Sequence, residues 1–158
     1  SALAPEGTGI FLNNMGNWFD LDSGSSNQIG SSRKQDFCLS PTQTFKNGEF
    51  YASVGTPGSW GIMQTTPQMI VNLLDFDMNM QQVIDSPRFK TIGGKRVQME
   101  GRFPKALVDN LKNRGHEVVG LPDWSPSVGG GHGIKKDQSL GSYQGGADPR
   151  RDGYAIGT

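Results

Sequence analysis

The chain has 158 residues, with 15 basic and 15 acidic side chains and no formal net charge, a balance that argues against charge-driven binding to nucleic acid or an anionic membrane. Only 34% of the residues are hydrophobic, and most of the 23 glycines are scattered as single turn residues, so the chain reads as short elements joined by tight loops. Its length is that of one domain, or of part of a larger domain whose core a partner completes.

No apolar run approaches the ~18 residues of a membrane span, and the first residues carry no basic-then-apolar signal pattern. The lone cysteine, Cys38, excludes an internal disulfide and leaves the compartment open. In chain order, Ile10-Phe11-Leu12 before Asn13-Asn14 predicts a short strand entering a turn. From Trp18 to Lys34 the chain is polar and rich in Ser, Gly and Asn, a long surface loop. Residues 41–45 and 50–54 are strand-like on either side of Asn47-Gly48, which supplies the positive backbone angles of a type I′ hairpin turn. The second strand runs into a glycine-rich turn, residues 55–61. Thr66 and Pro67 predict a helix start, with Met69, Ile70, Leu73 and Leu74 at helical spacing through Asp75. A short helix is expected over Met80 to Ile84, stopped by Pro87. Another begins at Pro104, carries Leu107, Val108 and Leu111, and ends at Gly115. The tail predicts strands at 117–119, 132–135 and 139–143. Hairpin strands, then helices, then strands indicate an α+β arrangement with helices layered on a sheet.

Several clusters bear on chemistry. In Gly55-Thr56-Pro57-Gly58-Ser59 a strand delivers a turn that leads toward a helix. Backbone N–H groups exposed there can stabilise a developing oxyanion, although such turns also occur with no ligand. Gly129-Gly130-Gly131-His132-Gly133 lacks the Gly-Lys-Ser/Thr ending of a phosphate loop and reads as a tight turn or a close backbone contact. His116 and His132, with Cys38, do not have metal-ligand spacing, so no metal is expected. Cys38 lies in the apolar Phe37-Cys38-Leu39 and reads as a buried, inert thiol. Ser40 has no nucleophile-elbow context. Asp85-Ser86-Pro87-Arg88-Phe89 and Asp148-Pro149-Arg150-Arg151-Asp152-Gly153 read as structural turns in which Asp caps and Arg bridges carboxylates or carbonyls.

Taken in order, these pieces resemble the γ-glutamyltranspeptidase family. Gly7 to Asn14 resembles the segment before that family's substrate-binding loop, and Leu39-Ser40-Pro41-Thr42 its Met-Ser-Pro-Thr strand. Gly55-Thr56-Pro57-Gly58-Ser59 is similar to its Gly-Ser-Pro-Gly-Gly oxyanion turn. Asn72 to Asn79, followed by Asp85 to Phe89, looks like its helix and Pro-Arg-Phe stop, and Gly146 to Gly153 like its C-terminal signature. The resemblance covers essentially the whole chain. It implies the four-layer αββα fold of N-terminal-nucleophile (Ntn) hydrolases, of which this chain, a single partial domain over 1–158, supplies the C-terminal part of the small subunit. It further implies a precursor that cleaves itself, a large-subunit partner, a small-molecule amide substrate and no cofactor.

In such enzymes a new N-terminal Thr, with its own amine as base, forms the acyl-enzyme. The resemblance places that Thr upstream of this chain and makes Ser1 a truncation or processing point, so the chain alone is expected to lack acyl-transfer activity. By position, Gly58 and Ser59 match the oxyanion residues. The groups that hold the amino acid's ammonium and carboxylate map onto Met15, Trp18, Phe37 and Cys38, which are apolar. A buried charge facing them would lack a partner, at a cost. The resemblance implies a γ-glutamyl or related amide as substrate, and these departures from the family pattern point to an apolar acyl group, as in the related cephalosporin acylases, or another small amide. A non-catalytic scaffold homologue is the alternative from a different class.

Overall fold

A computed structural model describes residues 2–157, and Ser1, read above as a processing point, lies outside them. The chain divides into two compact units, residues 1–37 and 38–158. In the first unit the expected strand at Ile10 to Leu12 does not form. These three side chains are exposed, and the bonds of the segment include Leu12 N–H to the Leu3 carbonyl (2.8 Å) and Ile10 N–H to the Thr8 hydroxyl (3.2 Å). Apolar character alone makes no strand where no neighbouring strand supplies a ladder. The polar loop is as expected, and the buried Asn27 organises it. Its amide donates to the Trp18 carbonyl (2.7 Å) and its carbonyl oxygen accepts from Asp36 N–H (2.8 Å).

The second unit contains two sheets and three helices. Strands β1 (Thr42–Lys46) and β2 (Glu49–Gly55) form the predicted hairpin, with Asn47 and Gly48 both at positive φ (55° and 82°). Strands β6 (His132–Lys136) and β7 (Tyr143–Ala147) complete an antiparallel sheet in the order β1-β2-β6-β7. The last tail strand thus lies four residues later than expected. Residues 137–142 are drawn into a turn by Asp137, whose carboxylate accepts from Ser139 N–H, the Ser139 hydroxyl and Leu140 N–H.

Helices α1 (Ile62–Leu74) and α2 (Met80–Asp85) cover this sheet, burying Met69, Leu73, Met80, Val83 and Ile84 against Tyr51, Ala52 and Val54. The α1 start differs from the expectation. Residues 59–61 wind a 3-10 turn and the helix begins at Ile62, leaving Pro67 inside it. Thr65 and Thr66 are buried, and Thr65 donates its hydroxyl to the Gly61 carbonyl (2.9 Å) instead of Thr66 capping the end. Burial of that first turn outweighs the loss of one N–H donor at Pro67. Asn79 and Gln82 form a reciprocal capping box at the start of α2.

Of the second sheet only one strand, at 117–119, was expected from the sequence, and it forms over Glu117–Leu121. Strand β4 (Arg96–Glu100) pairs antiparallel with β3 (Phe89–Thr91) and parallel with β5 (Glu117–Leu121). Helix α3 (Lys105–Asn113) closes the β4–β5 crossover and ends at Gly115 (φ +89°), with Gly115 N–H bonded to the Lys112 carbonyl and His116 N–H to that of Leu111. The outer edge of β3 is satisfied by side chains. Gln64 and Gln68, one turn apart on α1, each exchange two hydrogen bonds with the backbone, Gln64 with Thr91 and Gln68 with Phe89. No helix among the described residues is long and apolar enough to cross a membrane.

A buried ion network joins these elements. Arg88 donates to the Asp148 carboxylate (2.5 Å), to the Ile84 carbonyl (2.6 Å) and to that of Val128. Arg150 forks onto both Glu100 oxygens (2.6 and 2.7 Å) and also reaches Asp148 (3.0 Å) and the carbonyls of Ile84 and Ser86. Glu100 further accepts from the N–H groups of Arg88 and Ser125 (both 2.9 Å). The side chains of Arg150, Glu100 and Asp148 have no exposed surface. Burial pushes both carboxyls up. The Arg150 guanidinium and the Ser125 amide more than offset this for Glu100, as do the Arg150 amide and the Arg88 charge for Asp148, so each lies below the usual carboxylate range.

Two outcomes are expected. Glu100→Ala leaves Arg150 with Asp148 as its carboxylate partner, strands two buried N–H groups, and should cost roughly 3–5 kcal/mol in denaturant unfolding. A loss below about 1 kcal/mol would show that the network carries little stability. Because the folded carboxyls titrate below their unfolded values of about 4, their contribution is complete above that pH and disappears as pH falls through the lower folded values. The urea midpoint should therefore hold steady near neutrality and drop below about pH 4; a midpoint that rises on acidification would contradict the assignment.

Candidate functional site

The end of β2, the turn at Thr56-Pro57-Gly58 and the start of α1 form one continuous corner. Gly58 lies at φ +143° and Ser59 at φ +58°, both in the region that favours glycine. Among the described residues no acceptor bonds to the N–H of Gly58 or Ser59, whereas the Gly58 carbonyl accepts from Gly61 N–H (3.0 Å). Both residues line a cleft of about 470 Å³, together with Gly61, Gln64, Lys90 and Thr91. The Lys90 ammonium stands at its wall, held on the Ser127 carbonyl (2.7 Å). Two adjacent amide donors beside the first turn of a helix can bind an oxygen that gains negative charge.

The glycine run 129–133 is the backing of this corner, the close-packing role expected of it. Gly129 (φ +104°) lies against Thr56 and Pro57, so that any side chain there would collide with the Thr56 hydroxyl. The neighbours of Gly131 are Ile84, Met69 and Arg88, and Gly133 and Gly146 both face Met80. Gly131 N–H donates to Asp148 (2.6 Å), which ties the run to the buried ion network. The two Asp/Arg clusters are therefore structural, as expected. Glu100, on which they converge, was not singled out. The only signal in the sequence was that two buried arginines require carboxylates.

The other predicted site residues are positioned as follows. Met15 and Trp18 lie on a 3-10 turn over 15–18, both half-buried, with Met15 N–H bonded to the Asn13 side chain (2.9 Å). The Trp18 and Phe37 rings are 6.4 Å apart and tilted. Cys38 is a buried free thiol. Gln64 and Lys90, which line the cleft, were not foreseen, because helical and strand periodicity assign them only an outward-facing role.

Helices layered on a sheet, with a sharp strand-to-helix corner offering free amides, define the αββα class of Ntn hydrolases, and solved structures share that fold. A γ-glutamyltranspeptidase from Helicobacter pylori superposes with a TM-score of 0.82 at 27% identity, over 96% of this chain and 87% of that one. A cephalosporin acylase from Bacillus halodurans superposes with a TM-score of 0.83 at 32% identity, over 93% of this chain and 27% of that one. Among curated relatives, the glutathione hydrolase-like YwrD proenzyme of Bacillus subtilis (strain 168) is 37% identical over 99% of this chain. The chain belongs to the γ-glutamyltranspeptidase family, whose sequence profile matches it over residues 1–158. It spans 31% of the length of the YwrD proenzyme and matches a small-subunit-like part of the family.

Proposed function

We propose that this chain is the oxyanion-stabilising part of an Ntn amidohydrolase that cleaves or transfers an acyl group from a γ-glutamyl or related amide. The observation that carries the reading is the pair of free N–H groups at Gly58 and Ser59, in a cleft on a chain of this family. In this reading the carbonyl oxygen of the scissile amide becomes an oxyanion held by those two amides, while an N-terminal Thr outside this chain attacks and forms an ester. The amine leaves with a proton, and water or an acceptor amine then takes the acyl group. The large subunit of the same self-cleaving precursor completes the site.

The acyl specificity follows from Met15, Trp18, Phe37 and Cys38. They occupy the positions matching the family's amino-acid clamp and offer neither a carboxylate for an ammonium nor a charged or hydroxyl group for a carboxylate. An apolar acyl chain loses nothing on meeting Trp18 and Phe37, whereas a desolvated α-ammonium there lacks a counter-charge. The likeness to an acylase at 32% identity supports the same direction.

The complete enzyme, assayed on a panel of acyl anilides, is expected to turn over an apolar acyl anilide with higher kcat/KM than γ-glutamyl anilide. γ-Glutamyl anilide as the best substrate would sink the specificity reading and leave the chemistry. No turnover of any amide would sink the chemistry and favour a non-catalytic scaffold. A second outcome concerns the chain by itself: purified residues 1–158 should transfer no acyl group, and activity there would place the nucleophile within this sequence.

A further inference from the structure

We propose that Thr56 is a positioning residue that aims the Gly58 amide at the reacting oxygen. The inference rests on the oxyanion reading above and concerns what keeps that donor in place. The Thr56 hydroxyl donates to the carbonyl of the next residue, Pro57 (2.7 Å), and accepts from Gly130 N–H (3.0 Å), a residue 74 positions away in sequence. One hydroxyl thereby uses its single proton and one lone pair, and its orientation is settled.

The consequence follows from the geometry of a peptide bond. In a planar trans peptide the carbonyl and the following N–H point in opposite directions. A bond that pins the Pro57 carbonyl therefore fixes the direction of Gly58 N–H. Gly58 itself imposes no such limit. With φ at +143° it occupies a region a glycine leaves at little cost, so the Pro57–Gly58 peptide would be free to rotate if its carbonyl were released. Rotation would turn the donor away from the cleft and leave its wall otherwise unchanged.

The anchor behind Thr56 is rigid. Gly130 is flanked by Gly129, whose backbone lies against the Thr56 hydroxyl and the Pro57 carbonyl, and by Gly131, whose N–H is held by buried Asp148 (2.6 Å). Asp148 in turn is held by Arg88 and Arg150. Orientation is thus transmitted from a charge network in the interior to one amide at the surface, through a single hydroxyl. Thr56 lies outside the lining of the cleft, so its effect falls on the transition state, where the oxygen is charged, more than on substrate binding.

The test uses the complete enzyme with its best acyl anilide and three variants. Thr56→Val keeps the shape and removes the hydroxyl. It is expected to lower kcat on the order of 10²-fold, the effect of losing one oxyanion donor, with KM within about twofold. Thr56→Ser restores the hydroxyl and should recover kcat to within about threefold of wild type. Gly129→Ala keeps Thr56 but drives a methyl into its hydroxyl, and should show the same kcat loss at unchanged KM. A Thr56→Val enzyme with normal kcat overturns the inference. So does one whose KM rises in proportion, one that Thr56→Ser does not rescue, or one that fails to fold, since the hydroxyl would then be structural. A Gly129→Ala enzyme with normal kcat overturns it as well. A wild-type enzyme without amide turnover overturns the oxyanion reading first, and this one with it.

Discussion

The Arg88–Asp148 and Arg150–Glu100 pairs are the constraint on which the rest of the second unit depends. They bring the end of α2, the start of β3, the end of β4, the 125–131 segment and the end of β7 to one point. Arg102 also reaches Glu100 (3.1 Å), so three guanidiniums meet two carboxylates. Their remaining donors satisfy the carbonyls of Ile84, Ser86 and Val128, groups that a helix end and a loop would otherwise leave unpaired. Burial and the neighbouring Arg150 charge pull the Arg88 guanidinium below its usual value. Glu100 and Asp148 instead outweigh burial and raise that of Arg150. Such a cluster is weak as a source of net stability against an apolar alternative, but its many directional bonds fix geometry.

That geometry reaches the candidate site through glycines. Gly131 passes close to Arg88 and bonds to Asp148, and Gly129 approaches the Thr56–Pro57 peptide at a distance no side chain permits. The corner at Gly58 and Ser59 is therefore backed by main chain rather than by a mobile side chain. Ser59, a residue other than glycine at positive φ, stores strain at this corner, and strain of this kind persists only where surrounding structure over-determines it. The ion network and the glycine run provide that over-determination. The edge of β3 is treated in a similar way, with Gln64 and Gln68 of α1 standing in for a strand.

The first unit follows different rules. Its loop is ordered largely by hydrogen bonds, among them those of the buried Asn27 side chain and of Asp20. Ile10, Phe11, Leu21 and Ile29 remain exposed, as do Leu3 and Leu12. The composition, low in hydrophobic residues and high in glycine, corresponds to such a chain: short of core, rich in turns.

Local chemistry was legible in the sequence. Asn47-Gly48 specified its hairpin, Gly115 its helix end and Pro87 a helix stop, because each depends on φ preferences and hydrogen-bond donors within a few residues. Ordered motifs along the whole length identified the family. Tertiary structure decided the rest. The α1 helix begins at Ile62 because burial of its first turn overrides the local Thr66-Pro67 signal, and β7 begins late because Asp137 captures the preceding turn. The strand at Ile10 to Leu12 is absent for want of a partner. Glu100 and the Thr56–Gly130 bond were beyond the sequence altogether. Both join residues at least 25 positions from some of their partners, and no local preference of either residue reports which distant group it will meet.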